Sequence, residues 1–531
     1  VLALTLAACS DSTGPSGGTV TSVSLNAAEF ALFSGSSVPG AFRFPAAGAG
    51  GAQYLLVAQF ATPTPDLNGA FTLAGSLAAP LAAAPPEERI AAISPAQRFH
   101  DNLRRAEARF ASASRARAAA PAAAGVARAP ATITPPVVGT KRTFRVCGDL
   151  DCATLKNVVA TAKIVGAHAA LYLDDTVPAG GFTDADLQQL AGQFETDLYP
   201  IDHAAFGAES DIDSNGVVII LLTPKVNALV PSPGCNTSFV TGFFFGADID
   251  PTYRSSYNNG EIFYGFVPDP NPTVSCAYTV SEVRRMVAVT FIHEFQHMIS
   301  FNQHVLVRHG STEVLWLNEA LSHLAEELGG LHYDSLHVDT TASHFYIGDF
   351  YNAYQFLAAP SAVAMVGDTG AGSLAQRGAG WLFVRYLMDR FGASTAHALV
   401  NTALLGGANV AQATGTAFET LLGRWALALY TSDLPGFAPP PELRYESWHF
   451  RGTFLSLYNQ DNQDFRYPFP LMPAAATGST VSLSGTLRSG SGSYVVVTQA
   501  ANAAGFALAY RAGGTAFPSG AGAQLAVVRL Q

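Results

Sequence analysis

Short runs of alternating apolar and polar residues dominate both ends of this chain, while its middle shifts to the three-and-four spacing of helices. From residue 19 to about 81 the alternation falls into β-like pieces, among them Ala41-Phe42-Arg43-Phe44 and Tyr54-Leu55-Leu56-Val57. These predict a small β domain behind a Ser/Gly-rich tether, together spanning residues 10–84. Residues 479–487, 494–499, 506–511 and 524–530 alternate between Gly/Ser turns and predict a separate C-terminal β-sandwich over 437–531, set off by the prolines at 439–441. In between, Ala169-Ala170-Leu171-Tyr172-Leu173 and the apolar run 217–222 read as buried strands, with an amphipathic helix near 184–198. Thr279 and Glu282 form a capping-box pattern, and Val283, Met286, Val287 and Thr290 continue its helix onto one face. A second helix is predicted over about 312–328, closed by Gly329-Gly330. Two more cover 381–391, stopped by Gly392, and 418–430, opened by a Thr416/Glu419 box. The fold class is α+β: a mixed α/β front half and a helical back half over 137–436, flanked by β-rich domains.

The segment 85–136 breaks this pattern, because Pro, Ala and Arg dominate it, with Arg104-Arg105 and Arg115-Ala116-Arg117 expected to be exposed in a partly helical stretch. It reads as a linker, and its Arg-rich junction could serve as a processing site that releases everything before residue 136 as a pro-segment. The 531 residues carry a formal charge of −11, which argues against nucleic acid as a partner. Residues 1–8 are an apolar run that ends at Cys9 and Ser10, the pattern of a bacterial lipobox. This predicts an exported protein held at the cell envelope by a lipid on Cys9, with ordinary secretion as the alternative. No later stretch reaches the roughly eighteen apolar residues of a membrane span. The other cysteines, Cys147, Cys152, Cys235 and Cys276, are even in number and contain no C-x-x-C pair, which suits an oxidising compartment. The expected bridges are Cys147 with Cys152 and Cys235 with Cys276.

The chemistry is concentrated in His293-Glu294-Phe295-Gln296-His297. Positions i and i+4 share a helix face, so His293 and His297 can hold one cation while Glu294 stands beside them as general base. A catalytic zinc needs a third protein ligand and an open position for water, and Glu319, in Trp316-Leu317-Asn318-Glu319-Ala320, is placed on the next helix to supply it. These residues resemble the gluzincin metallopeptidases, and the hyicolysin family in particular, over roughly residues 140–435, including the later Gly378-Ala379-Gly380-Trp381-Leu382. The resemblance implies a thermolysin-like catalytic domain with one Zn2+ per chain bound by His293, His297 and Glu319. It also implies hydrolysis of protein or peptide substrates by a metal-activated water, with Glu294 as the base. Thermolysin-like members carry an aspartate four residues after the glutamate ligand, where this chain has His323. Glu326 is a candidate to orient a ligand histidine in its place; the alternative is that Glu326 and Glu327 form a solvated helix end. His332, Tyr333, His344, Tyr346 and Tyr386 are candidate oxyanion donors. Two other functions stay open: a catalytically silent adhesion or scaffold lipoprotein, and a zinc amidase acting on cell-wall peptides.

A second metal signal is weaker. Asp211-Ile212-Asp213-Ser214-Asn215-Gly216 reads as the first half of a calcium loop, but the twelfth position is Leu222, where an EF-hand needs a carboxylate. An Asn-Gly turn leading into a strand is the preferred reading over a Ca2+ site, to which Asp248 and Asp250 could add ligands.

Overall fold

The computed structural model describes residues 20–76, 93–118, 133–368 and 372–531. Cys9, the tether and, within the linker, residues 85–92 and 119–132 lie outside them. The chain opens with β1 (Val20–Ser22), β2 (Phe30–Phe33), β3 (Gly40–Phe44), β4 (Ala52–Phe60) and β5 (Asn68–Gly75), followed by helix α1 (Pro95–Ala118). Next come β6 (Lys141–Cys147), β7 (Leu155–Val165), β8 (Ala169–Asp174), α2 (Asp184–Gln193), α3 (Tyr199–Phe206), β9 (Val218–Leu222), the single turn α4 (Pro224–Asn227), β10 (Gly242–Phe244) and β11 (Ile262–Gly265). A helical stretch follows: α5 (Val280–Phe301), α6 (Leu315–Ser335), α7 (Asp339–Ala358), α8 (Leu374–Phe391), α9 (Ser394–Val400), α10 (Gly406–Thr414), α11 (Phe418–Thr431) and α12 (Phe450–Gln460). The chain closes with β12 (Ala474–Thr477), β13 (Ser482–Arg488), β14 (Gly492–Gln499), β15 (Phe506–Ala512) and β16 (Ala523–Arg529).

Strands from the two ends of the chain pair with each other. One sheet has the order β1-β3-β15-β5-β13 and the other β12-β14-β4-β16-β2, so the two separate β domains expected from the sequence are a single sandwich. Alternation marks a strand but does not name its partner, which is why the pattern could not show this. β4 runs antiparallel between β14 and β16, with Leu56 opposite both Val495 and Val527. Its near-continuous apolar run follows from burial on both faces. Tyr54, Leu56, Ala58 and Phe60 fill the sandwich interior, while Leu55 and Val57 join Ala526 and Val528 in the larger core that includes α11. That core also takes in Phe450 and Phe454 of α12, so it continues past the expected boundary at residue 436. The prolines at 439–441 make a turn within it, ending in a short 3-10 helix at Pro441–Leu443.

The six-stranded sheet has the order β10-β11-β9-β8-β7-β6, with β11, β9 and β8 parallel and β10 a free edge. Val218–Leu222 is buried throughout, as a central parallel strand should be. The expected Thr279/Glu282 capping box forms and starts α5. α2 opens with a similar box between Thr183 and Asp186 and continues through a π-helical turn at Phe194–Leu198 into α3. α8 ends at Gly392, whose φ of 90° is reached cheaply without a side chain.

Three expectations fail for local reasons. α6 does not stop at Gly329-Gly330 but runs on to Ser335, because these glycines serve packing: a Cβ on Gly329 would meet Phe345 of α7 at 2.8 Å. α11 begins at Phe418 as expected, but with Ala417 as cap, so Glu419 falls at the second helical position and the Thr416 box does not close. Thr416 is instead tied by its backbone N–H to the Thr414 hydroxyl. The linker 85–136 contains α1, whose Phe99, Leu103 and Ala106 are buried at helical spacing. Its Ala/Arg-rich composition obscured that narrow apolar face. Both expected disulfides are present, with Cα–Cα distances of 4.7 Å for Cys147–Cys152 and 5.8 Å for Cys235–Cys276.

Candidate metal centre

α5 carries His293, Glu294 and His297 on the face packed against α6, and α6 brings Glu319 to them. All four are buried. The two imidazole Nε2 atoms lie 3.2 Å apart, His293 Nε2 is 3.8 Å from Glu319 Oε2, and His297 Nε2 is 3.6 Å from Glu319 Oε1. The expected triad is therefore brought together, with its ligand atoms within 4.8 Å of one another.

The other ring nitrogens are taken. His293 Nδ1 is 2.6 Å from Glu326 Oε1, and His297 Nδ1 is 2.9 Å from Asn318 Oδ1. Acceptors at Nδ1 keep the proton there and leave Nε2 with its lone pair, the tautomer that a metal requires. Glu326 is thus brought to His293 and is buried, not set at a solvated helix end. Its neighbour Glu327 is buried as well and accepts from Trp381 Nε1 at 3.0 Å and Trp448 Nε1 at 2.5 Å. His323 stands 3.2 Å from Glu326 and 2.8 Å from Asp349 of α7. Burial works against charging His323, yet the Glu326 and Asp349 carboxylates override it and push the imidazole up to about 10. Burial, with Glu326 nearby, pushes Asp349 well above the carboxylate range.

His293, His323 and Glu326 also lie close enough to hold an ion, but the Nδ1 atoms of both histidines already face Glu326 Oε1 at 2.6 and 3.2 Å. The two oxygens of Glu319 are different. Both are buried and neither has a hydrogen-bond partner, a costly state for a carboxylate. Burial alone would raise Glu319, but Arg377 of α8 and the facing imidazoles hold its carboxyl well below the usual range. A divalent cation among His293, His297 and Glu319 would resolve this, and two imidazoles with one carboxylate are a donor set suited to zinc.

Glu294 is fixed by the sheet edge, since its Oε2 accepts the Phe244 N–H of β10 at 2.7 Å. Burial raises its pKa. In front of it lies a cavity of ≈ 390 Å³ walled by His293, Glu294, His100, Thr241, His344 and Arg377. Of the five candidate oxyanion donors, His344 lines this cavity. The other hydroxyls are engaged elsewhere: Tyr333 donates to Asp197 at 2.7 Å, Tyr346 to Asp334 at 3.3 Å and Tyr386 to the Glu442 carbonyl at 2.8 Å. His332 sits 3.9 Å from Asp197.

Residues the sequence did not single out complete the site. Arg377 lies 3.4 Å from Glu319 Oε2, and α1 contributes His100, Arg104 and Glu107. Arg104 Nη2 donates to the Phe244 carbonyl at 2.5 Å, and Glu107 accepts the Gly246 N–H at 2.7 Å. α1 therefore covers backbone groups along the free edge of β10. The buried apolar spacing of Phe99, Leu103 and Ala106 was the available signal for this helix.

Over 174 residues, 33% of this chain, the sequence is 26% identical to the neutral metalloprotease ShpI of Staphylococcus hyicus, and the alignment spans 36% of that protein's length. No family model matches the chain. The likeness supports a relationship to metalloproteases.

Proposed function

We propose that this protein is an exported zinc-dependent endopeptidase. The buried carboxylate of Glu319, which accepts no hydrogen bond and faces two oriented imidazoles, carries this reading. His293, His297 and Glu319 would hold the ion, which when bound polarises a carbonyl and acidifies a water molecule. Glu294, oriented by the Phe244 N–H, takes a proton from the attacking water and delivers it to the leaving amine. Arg377 and His344, on the cavity wall, are placed to donate to a developing oxyanion. The disulfides fit an oxidising compartment, and export with a lipid on Cys9 is part of the same reading. No described helix is long and apolar enough to cross a membrane. The test is hydrolysis of casein and of a peptide library by the purified protein, stopped by a chelator and restored by zinc. Cleavage confined to cell-wall peptides would select the amidase alternative, and no cleavage of either substrate would favour a scaffold.

A second observation bears on regulation. An open sheet edge can bind an extended peptide by adding a strand, and here α1 holds that edge through Arg104 and Glu107. In this reading α1 restrains the enzyme until the chain is cut between α1 and β6, a stretch that holds Arg128.

A further inference from the structure

The structure brings a carboxylate to the interrupted calcium-loop pattern from a distant position. Asp211, Asp213 and Glu261 place ligand oxygens within 4.8 Å of one another. Glu261 immediately precedes β11, the neighbour of β9, and the loop Asp211–Gly216 leads into β9, so the sheet itself sets this meeting. We propose that these residues form a Ca2+ site in which Glu261 supplies the carboxylate missing at Leu222.

Glu261 is the independent observation. It is only 1% exposed, and its Oε1 accepts from the Ser210 hydroxyl at 2.6 Å and the Ile212 N–H at 2.9 Å. Its Oε2 is buried without a hydrogen-bond partner, on a residue that belongs to the cluster. A buried carboxylate oxygen with no donor is costly unless a cation completes it. The loop is already wound as such an ion requires. Asp211 Oδ1 accepts the N–H groups of Asn215 and Gly216 at 3.0 and 3.2 Å, and Asp213 Oδ1 accepts that of Asn215 at 3.2 Å. Asn215 Oδ1 accepts the Val217 N–H at 2.7 Å, while its amide donates to Asp213 Oδ2 at 3.0 Å.

The charges fit a divalent ion. Three carboxylates face one another, and Arg142, 3.4 Å from Asp213, offsets one of them. The donors are all oxygen, with no His or Cys in the cluster, which favours Ca2+ over zinc. Asp211 is exposed, so the ion has a route in from solvent. Asp248 and Asp250 are not part of the cluster, because Asp248 is held by Tyr264 and Asn258 and Asp250 by Ser114 and Thr252. The bound ion would tie the start of β9 to that of β11, and β11 in turn pairs with β10, whose Phe244 orients Glu294.

The test is calorimetric titration of the zinc-loaded full chain with CaCl2, alongside thermal melts with and without calcium. One site with a Kd of about 10⁻⁴–10⁻³ M or tighter is expected, with a higher melting midpoint in calcium. Glu261→Gln should weaken binding at least about tenfold and abolish the midpoint shift at unchanged zinc content. Asp211→Asn, at an exposed position, should weaken binding too and serves if the buried variant fails to fold. No calcium binding by the folded protein, or binding unchanged in Asp211→Asn, would overturn the site.

Discussion

In the proposed metal centre, affinity would depend on side chains one layer behind the candidate ligands. Glu326 and Asn318 hold the two histidines by Nδ1, and such partners are commonly worth 10- to 100-fold in metal affinity or activity. Glu326→Gln is therefore expected to lower zinc affinity by about that factor while leaving the far-ultraviolet circular dichroism unchanged. Titration against a competing zinc chelator reads this out, and wild-type affinity in the variant would remove Glu326 from the site. The ligands were legible because i and i+4 on a helix is a geometric statement; Glu326 was legible because it lies two turns past Glu319 on the same helix. Arg377 and His100 come from α8 and α1, and no spacing within one element could have placed them beside the metal.

At the scale of elements, local signals held where the partners they need are themselves local. The Thr279 box places α5 because both of its hydrogen bonds are local. Gly329-Gly330 misled because a glycine needed for close helix packing looks the same in sequence as one needed for a cap. α1 was read as a partly helical piece of an exposed linker, and its buried face was missed; it is the element on which the proposed regulation turns. If α1 restrains the β10 edge, cleavage at a specific protease site engineered between α1 and β6 should raise casein turnover. The increase should follow the fraction of chains cut, read by gel and by initial rate on the same samples. Equal rates before and after complete cleavage would leave α1 a purely structural helix.

At the scale of the whole molecule, the first and last strands complete one another. β4 has both of its neighbours, β14 and β16, in the last part of the chain, so removing residues 470–531 exposes both of its edges at once. Such a truncation is expected to aggregate or to lose the cooperative thermal transition, and adding residues 470–531 in trans is expected to restore solubility. A truncated chain that melts cooperatively near the wild-type midpoint would show that the sandwich is dispensable. Pairing across so long a separation leaves no trace in alternation, so the sandwich was legible as strands and not as a single unit. Above all of this stands the claim that the buried triad and Glu294 make a hydrolase. The direct measurement is zinc content and initial rate of peptide hydrolysis for the wild-type protein beside Glu294→Gln. About one zinc per chain in both, with turnover in the variant lower by about 10²–10⁴-fold, is the predicted result. A Glu294→Gln variant that keeps its zinc and cleaves at the wild-type rate would contradict it.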